Sequence, residues 1–130
     1  MSAGSVLVAA VMAELATEEL TPLVVFDAPP VRAGFPYAVI DEPQLASANA
    51  AGVKGRVGTL AITYYDAGER PMPLRSRVAL AEELIDLLPS AVGDGWRVGG
   101  MMLARSRLMR TKDGWTARSE WAVRMFKAVG

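Results

Sequence analysis

The side chains that most often carry catalysis are scarce in this sequence. Its 130 residues include no histidine and no cysteine, so the commonest general base, the thiol nucleophile and the commonest zinc ligands are missing. Two pairs of neighbouring carboxylates, Asp41-Glu42 and Glu82-Glu83, have the right type for acid–base chemistry or for holding a divalent cation. They are pairs only in sequence, because adjacent residues of a helix do not face each other. The carboxylates therefore do not indicate an active site.

Two glycine-rich stretches invite a comparison with phosphate-binding loops. Gly52-Val53-Lys54-Gly55 and Gly93-Asp94-Gly95 lack the spacing of a phosphate loop that is followed by a helix, and loop flexibility explains their glycines better. Nucleic-acid binding through tryptophan is also disfavoured, because Trp115 and Trp121 fall on the apolar face of a predicted strand and are expected to pack in the core. We therefore predict no catalytic residue, no cofactor and no metal.

Length and composition indicate one globular domain over residues 1–130. Apolar residues make up 52 % and charged residues 22 % of the chain, which suits a water-soluble protein with a real core. The apolar run Val6–Met12 follows no Lys or Arg and is interrupted by Glu14, so an amphipathic helix is favoured over a targeting or membrane segment. We expect a soluble chain that is made in the cytoplasm and has no membrane partner.

The charges are unevenly distributed although the formal net charge is zero. Residues 1–95 contain six Lys and Arg against twelve Asp and Glu, whereas residues 96–130 contain eight against two. Such polarity favours head-to-tail association or a single basic surface. Alternatively, folding interleaves the two parts and evens out the field.

The hydrophobic pattern predicts an α+β fold with two helices, an antiparallel sheet and the element order α-β-β-β-α-β-β. The two helices are predicted at about Ser5–Leu20 and Pro73–Leu88. The first three strands are predicted at Leu23–Phe26, Phe35–Ile40 and Val57–Tyr65. The chain ends in a long β-hairpin whose turn is Lys112-Asp113-Gly114, with a bulge expected at Gly99-Gly100 in its first arm.

The segment Asp41–Arg56 has the least structural signal. Its middle, Ala46–Gly52, consists of small side chains that bury little area, and a loop of this length is usually functional or disordered. We predict that it is mobile in the free subunit and becomes ordered against a partner. Its candidate contact residues are Asn49, Lys54 and Arg56.

The second helix carries charges that oppose its dipole. Arg75 lies near its N-terminus, while Glu82, Glu83 and Asp86 lie near its C-terminus. We expect these four residues to serve a contact between subunits, with the acidic end of the helix meeting basic residues of a neighbour. Chance is the alternative explanation.

A set of motifs then resembles a known family. A first amphipathic helix precedes the turn Asp27-Ala28-Pro29-Pro30, which is followed by Phe35-Pro36-Tyr37-Ala38-Val39-Ile40. A threonine-bearing strand and one long helix come next, and the chain closes on Lys112-Asp113-Gly114-Trp115 and a final strand. Over essentially its whole length the sequence resembles the tail-terminator, or tail-completion, proteins of siphophages and gene transfer agents. The alanine-rich insertion before Lys54 and the Tyr64-Tyr65 pair depart from the usual pattern.

The resemblance implies a structural role in a virion or a phage-like particle. Such proteins form a ring, usually a hexamer, that stops polymerisation of the tail tube protein and joins the tail to the head-proximal connector or neck protein. DNA passes through the hole transiently and without sequence specificity. Family members have no catalytic residue, metal or cofactor. The alternatives are another neck or tail component, such as a head–tail connector or a tube-like subunit, and a small-molecule-binding or enzymatic α+β domain.

The basic residues of the final hairpin have three open interpretations. Arg118 and Arg124 are predicted on the polar face of the last strand, and Arg105 and Arg107 on the arm paired with it. In a ring these arginines would line the hole and contact DNA phosphates. They would otherwise bridge to acidic residues of the next subunit, or face outward and keep the sheet soluble.

Overall fold

The computed structural model describes residues 1–129, which form two helices and seven strands. Helix α1 spans Ala3–Leu15 and α2 spans Met72–Asp86, and a short 3₁₀ helix occupies Glu18–Leu20. The strands are β1 (Val24–Phe26), β2 (Tyr37–Ile40), β3 (Gln44–Ser47), β4 (Val53–Asp66), β5 (Ala91–Gly93), β6 (Trp96–Thr111) and β7 (Gly114–Ala128). Within these residues, neither helix has the length and apolar character needed to cross a membrane.

All seven strands belong to one sheet, in the order β1-β2-β4-β7-β6-β5, with β3 beside β2 on the same edge of β4. Every pairing is antiparallel except that of β1 with β2, which is parallel and differs from the predicted wholly antiparallel sheet. The α+β class, the order of the predicted elements and the long C-terminal hairpin are confirmed. The short strands β3 and β5 were not predicted.

Both helices pack on one face of the sheet because buried and exposed side chains alternate along the long strands. On β7, Ala117, Trp121 and Met125 point toward the helices and are almost fully buried, as predicted for that face. On β4, Tyr64 and Leu60 lie opposite Ala117 and Trp121 and are buried in the same way, and Leu7 and Leu74 supply the facing surface from the two helices. Burying one such aliphatic side chain stabilises the fold by roughly 1.5–3 kcal/mol. The core therefore lies entirely between the helices and one sheet face.

The helices begin near the predicted residues but end earlier. The Ser2 hydroxyl oxygen accepts a hydrogen bond from the Ser5 amide and caps α1 at its start. The chain leaves helical geometry at Ala16, so the prediction that this helix continues to Leu20 is wrong. The threonine before the 3₁₀ helix, Thr17, caps a new turn and competes with continuation of the first helix.

The segment Asp41–Arg56, expected to be an irregular loop, instead contains strand β3 and the start of β4, so the expectation of little regular structure is wrong. Its mobility in the free subunit stays a prediction. Strand β3 pairs antiparallel with Arg56–Thr59, and the turn contains Gly52 at a positive φ of 74°. The glycines explain the pairing: a Cβ at Gly58 would overlap the Gln44 carbonyl oxygen across the strand pair. The small side chains therefore permit close approach of two strands rather than disorder.

The predicted bulge in the first arm of the C-terminal hairpin is confirmed. The β6–β7 register shifts between Val98 and Gly100, and it shifts a second time between Leu103 and Arg105. The second bulge changes which β6 side chains lie on each face of the sheet. Arg105 and Arg107 therefore lie on the face away from the helices, opposite Glu120 and Arg118.

Candidate functional site

The sheet face opposite the helices is free of any covering element among residues 1–129, and we call it the open face. Strand alternation and register assign to it Thr63 of β4, Arg118 of β7 and Arg107 of β6, which lie side by side. The register puts Arg118 and Arg124 on the one face of β7 that was predicted for them, and it puts Arg105 and Arg107 of the paired arm on the same face of the sheet. This face and the two sheet edges are the surfaces on which a function must be sought.

Arg118 is the centre of a polar network on the open face. Its Nη1 donates to Asp41 Oδ2 at 2.5 Å and to the Thr63 hydroxyl at 2.9 Å, and its Nε donates to Glu120 Oε1 at 2.9 Å. Thr63 in turn donates to Asp41 at 3.0 Å. The hydrogen bond to Glu120 is the main reason that the pKa of Arg118 is raised, and the same bond lowers the pKa of Glu120. Arg118 is thus satisfied within its own chain.

The other three hairpin arginines have different surroundings. Arg105 and Arg107 are exposed on β6, and both help to lower the pKa of Glu120 through their charge. Arg124 is exposed on β7, level with Gly100 and Val57, at the edge of an open cleft of about 290 Å³. The four arginines therefore do not form one uniform basic row: one is paired, and three face solvent.

The acidic residues at the C-terminal end of α2 have different environments, since one contacts the sheet and two face solvent. Glu82 turns toward the sheet, where its carboxylate accepts a 2.6 Å hydrogen bond from the Ser119 hydroxyl. That hydroxyl also lies 3.1 Å from the Tyr64 hydroxyl, so three polar groups share a buried chain of hydrogen bonds. Burial raises the pKa of Tyr64 far above its usual value. Glu83 and Asp86 are exposed and remain able to meet a partner.

Arg75 lies one turn into α2, toward its N-terminal end. It is exposed and lines a cleft of about 380 Å³ between α2 and β6, together with Glu82 and Arg107. Of the four residues predicted for a subunit contact, Arg75 and Glu82 line this cleft, whereas Glu83 and Asp86 do not. Of these, Glu82 is the one held by a hydrogen bond from the sheet.

The three residues predicted to contact a partner from the loop lie at the β3–β4 turn. Asn49 Oδ1 accepts from the Gly55 amide at 3.0 Å and from Arg56 Nη1 at 3.3 Å, so Asn49 and Arg56 brace the turn. The Arg56 guanidinium also stacks over Trp96, 5.6 Å from the ring centre. Lys54 is exposed, and it lines a cleft of about 370 Å³ with Arg56 and Lys127.

Four aromatic residues form a cluster that the sequence did not reveal. Tyr37 stacks on Tyr65 with ring centres 4.8 Å apart, and it also contacts Phe26 and Phe35 at 6.1 and 5.7 Å. Phe35 is 52 % exposed, which is high for so large an apolar side chain. The sequence signals were the Phe35-Pro36-Tyr37 motif and the Tyr64-Tyr65 pair, but neither indicated that these rings meet. The cluster gives the β1–β2 end of the open face an apolar surface.

Within residues 1–129, no group of three or more acidic side chains is placed to hold a metal ion. Hydrogen bonds within the chain engage four charged side chains, which bind one another or hydroxyl groups: Arg118, Asp41, Glu120 and Glu82. What these surfaces offer is contact area and charge.

Comparison with known proteins agrees with this description. No curated protein sequence matches the chain. Its fold is similar to that of a chain in a solved structure described as the virion of a native gene transfer agent (GTA) particle, with a TM-score of 0.71 and 20 % sequence identity. The alignment covers 98 % of this chain and 99 % of that one. Residues 5–126 match the family described as tail completion protein gp17, and the chain therefore belongs to that family of phage tail components.

Proposed function

We propose that this chain assembles into a ring, as a hexamer, that caps the head-proximal end of a tail tube. The ring ends polymerisation of the tube protein and joins the tube to the connector or neck protein. The observation that carries the proposal is that the sheet is incomplete. Beyond Val98, β6 has no strand on its outer side within residues 1–129, and β1 has none at the opposite edge. In a ring, one neighbouring copy is able to complete the β6 edge and the other neighbour the β1 edge.

The role we propose is structural and not enzymatic. Membership of a tail-completion family supports it, as does a surface on which charged groups are paired or fully exposed. The polar network around Arg118 ties together β2, β4 and β7, which stiffens the open face. A rigid subunit suits a ring that must hold its shape while DNA passes through it.

The β3–β4 turn is our proposed contact with the tube. Asn49 and Arg56 brace the turn next to Lys54, which is exposed, and Lys127, 3.7 Å from the Asp94 carboxylate, lines the same cleft. Charge at such a rim directs a partner of opposite sign and accelerates its docking. On α2, exposed Glu83, Asp86 and Arg75 are proposed to contribute to the contact between neighbouring subunits.

A tube-like subunit is the second candidate, and the length of the C-terminal hairpin favours it. Its arms, Trp96–Thr111 and Gly114–Ala128, are long enough to extend well beyond the helices. A tube subunit stacks without limit, whereas a terminator forms one ring and stops. The two candidates therefore differ in whether the purified chain forms open-ended tubes.

The test combines loss of the gene product with a charge variant. Particles assembled without this chain should show overlong or headless tails by electron microscopy, and adding the wild-type chain should restore tail length. Lys54→Glu should reduce capping, whereas Arg70→Glu, an exposed charge reversal outside the turn, should not. Tails of normal length that join heads in the absence of the chain would refute the proposed function. Unlimited tubes of the purified chain would favour the second candidate.

A further inference from the structure

From the free edges of the sheet we infer how neighbouring copies join: the Arg105–Thr111 half of β6 pairs antiparallel with β1 of the next copy. This inference rests on the proposed ring, and it assigns the two surfaces that close the ring. The occupant of each edge is thus a second copy of this chain. The supporting observations are the shape of the two edges, their register, their apolar side chains and their charge.

The β6 edge is free over a regular stretch. Strand β5 covers only the beginning of β6, with pairs at Trp96 and Arg97 and a last hydrogen bond from the Val98 amide. The two bulges of β6 come before Arg105, and from there to Thr111 the register with β7 is uninterrupted. Edge strands with bulges are protected against pairing, whereas a regular, unpaired edge accepts another strand. The Arg105–Thr111 half is therefore the part of β6 that is open to a partner.

The β1 edge has the geometry that this stretch requires. Strand β1 runs parallel to β2, and three antiparallel pairings separate β2 from β6, so β1 and β6 run in opposite directions. Rotation about an axis that lies along the strands preserves these directions. The β1 strand of a neighbour generated in this way therefore runs antiparallel to β6. Antiparallel pairing is more stable per residue than parallel pairing.

Register brings two exposed apolar side chains to the same level. Met109 of β6 pairs with Thr116 of β7, and Thr116 pairs with Tyr65 of β4. Tyr65 pairs with Tyr37 of β2, which pairs with Val24 of β1. Met109 and Val24 both lie on the open face, and they are 47 % and 53 % exposed. A neighbour docked at this level would bury both, and it would set the Met109 sulfur beside the aromatic cluster, a favourable contact.

The two edges carry opposite charge. Strand β6 contains four arginines and no carboxylate. The segment from residue 16 to 47, which forms the other edge, contains five carboxylates against Arg32 alone; they are Glu18, Glu19, Asp27, Asp41 and Glu42. Of these, exposed Asp27 directly follows Phe26, the β1 residue at the level of Arg107. Opposite charge on two different surfaces favours a head-to-tail contact and opposes pairing of like edges.

A disulfide tests the pairing directly, because the chain has no cysteine of its own. In one subunit Met109 and Val24 are four strand spacings apart, about 19 Å, which is too far for a disulfide. In Val24→Cys/Met109→Cys, any disulfide must therefore join two copies. We expect mild oxidation to give a ladder of covalent oligomers that ends at one size. Either single variant should give monomers only.

The matched control is Val24→Cys/Arg110→Cys. Arg110 is exposed and adjacent to Met109, but it lies on the other face, stacked over Trp115. We expect this variant to cross-link at least tenfold less. A charge swap gives a second measurement: Arg107→Asp should weaken assembly about 2- to 5-fold, and adding Asp27→Arg should restore it.

Several outcomes would overturn the pairing. Dimers of a single-cysteine variant would show contact between like edges, and adducts with a different protein of the particle would assign β6 to that protein. A wild-type ring of defined mass, together with a paired-cysteine variant that does not cross-link, refutes this interface and leaves the proposed ring intact. A wild-type chain that neither forms rings nor limits tail length refutes the proposed function itself.

Discussion

Arg118 Nη1 lies 2.5 Å from Asp41 Oδ2, although 77 residues separate the two in sequence. The contact crosses β4 and joins the last strand to the end of β2, with Thr63 between them. An arginine that appeared available for DNA or for a neighbouring subunit is therefore bound within its own chain. Replacing Arg118 changes stability as well as any contact that it makes outside, so it is a poor probe of assembly by itself.

The first prediction is that this contact contributes modestly to stability. Both side chains are 37 % exposed, so water screens their charges, and we expect Arg118→Gln to cost about 0.5–1 kcal/mol. In a double-mutant cycle with Asp41→Asn, the two losses should be less than additive. Urea denaturation measures them, with Arg124→Gln, an exposed arginine of the same strand, as the control. Additive losses would mean that the two residues act independently.

The second prediction concerns the hydroxyl of Ser119, which is fully buried. Ser119→Ala leaves the Tyr64 hydroxyl and the Glu82 carboxylate without the atom that links them, so we expect a loss of about 1–3 kcal/mol. Ser106 is directly opposite Ser119 on β6 but is exposed, and Ser106→Ala should change stability by less than about 0.5 kcal/mol. Equal effects of the two substitutions would contradict a role for the buried chain of hydrogen bonds.

The third prediction is a dependence of stability on acid pH. The Arg118 guanidinium lowers the pKa of Glu120 from its ordinary 4.5, so the folded state favours the ionised carboxylate. This stabilisation is present above pH 4.5 and is lost as the pH falls through the lower pKa of the folded state. Glu120→Gln should therefore reduce the slope of unfolding free energy against pH below 4.5. Asp94, whose pKa the N-terminal amine lowers, should keep part of the slope. An unchanged slope in Glu120→Gln would exclude this ion pair as its source.

Sequence periodicity predicted the parts of the fold in which burial repeats regularly. The alternation along β7 assigned Trp121 and Met125 to the core and Arg118 and Arg124 to the other face. The Asp113-Gly114 turn fixed the C-terminal hairpin. These elements were predictable because one sheet face packs on helices and the other does not, which imposes a period of two.

The remaining features depend on contacts between distant segments. Nothing local marks Asp41 as the partner of Arg118, or Ser119 as the partner of Glu82, because each pair meets only after the sheet has formed. Strand β3 escaped prediction for a different reason. Its small residues have little strand propensity, and its pairing depends on glycines in the opposite strand, where no Cβ blocks the approach.

The fourth prediction tests that account of β3. In Gly58→Ala the new Cβ would overlap the Gln44 carbonyl oxygen, so β3 must separate from β4, and we expect a loss of about 1–3 kcal/mol. Gly100→Ala is the control, since a Cβ there meets no atom within 4 Å. Hydrogen exchange should show faster exchange at the Ala48 amide, which donates to Gly55 at 2.9 Å in the wild type. Unchanged protection in Gly58→Ala would show that the glycine is not required.

The last prediction separates passage of DNA from assembly on the open face. Arg124 is exposed and lies at the Gly100 level of the sheet, outside the stretch of β6 that we assign to a neighbouring copy. If the open face lines the hole, Arg124→Glu should leave rings and tails intact and slow DNA delivery, with a larger effect at low salt, because repulsion of phosphates is screened as salt rises. Arg70→Glu, an equal charge change on an exposed residue outside the sheet, is the control. Ring failure in Arg124→Glu would instead place this residue in a subunit contact, and normal delivery at every salt concentration would leave Arg124 only a solubilising role.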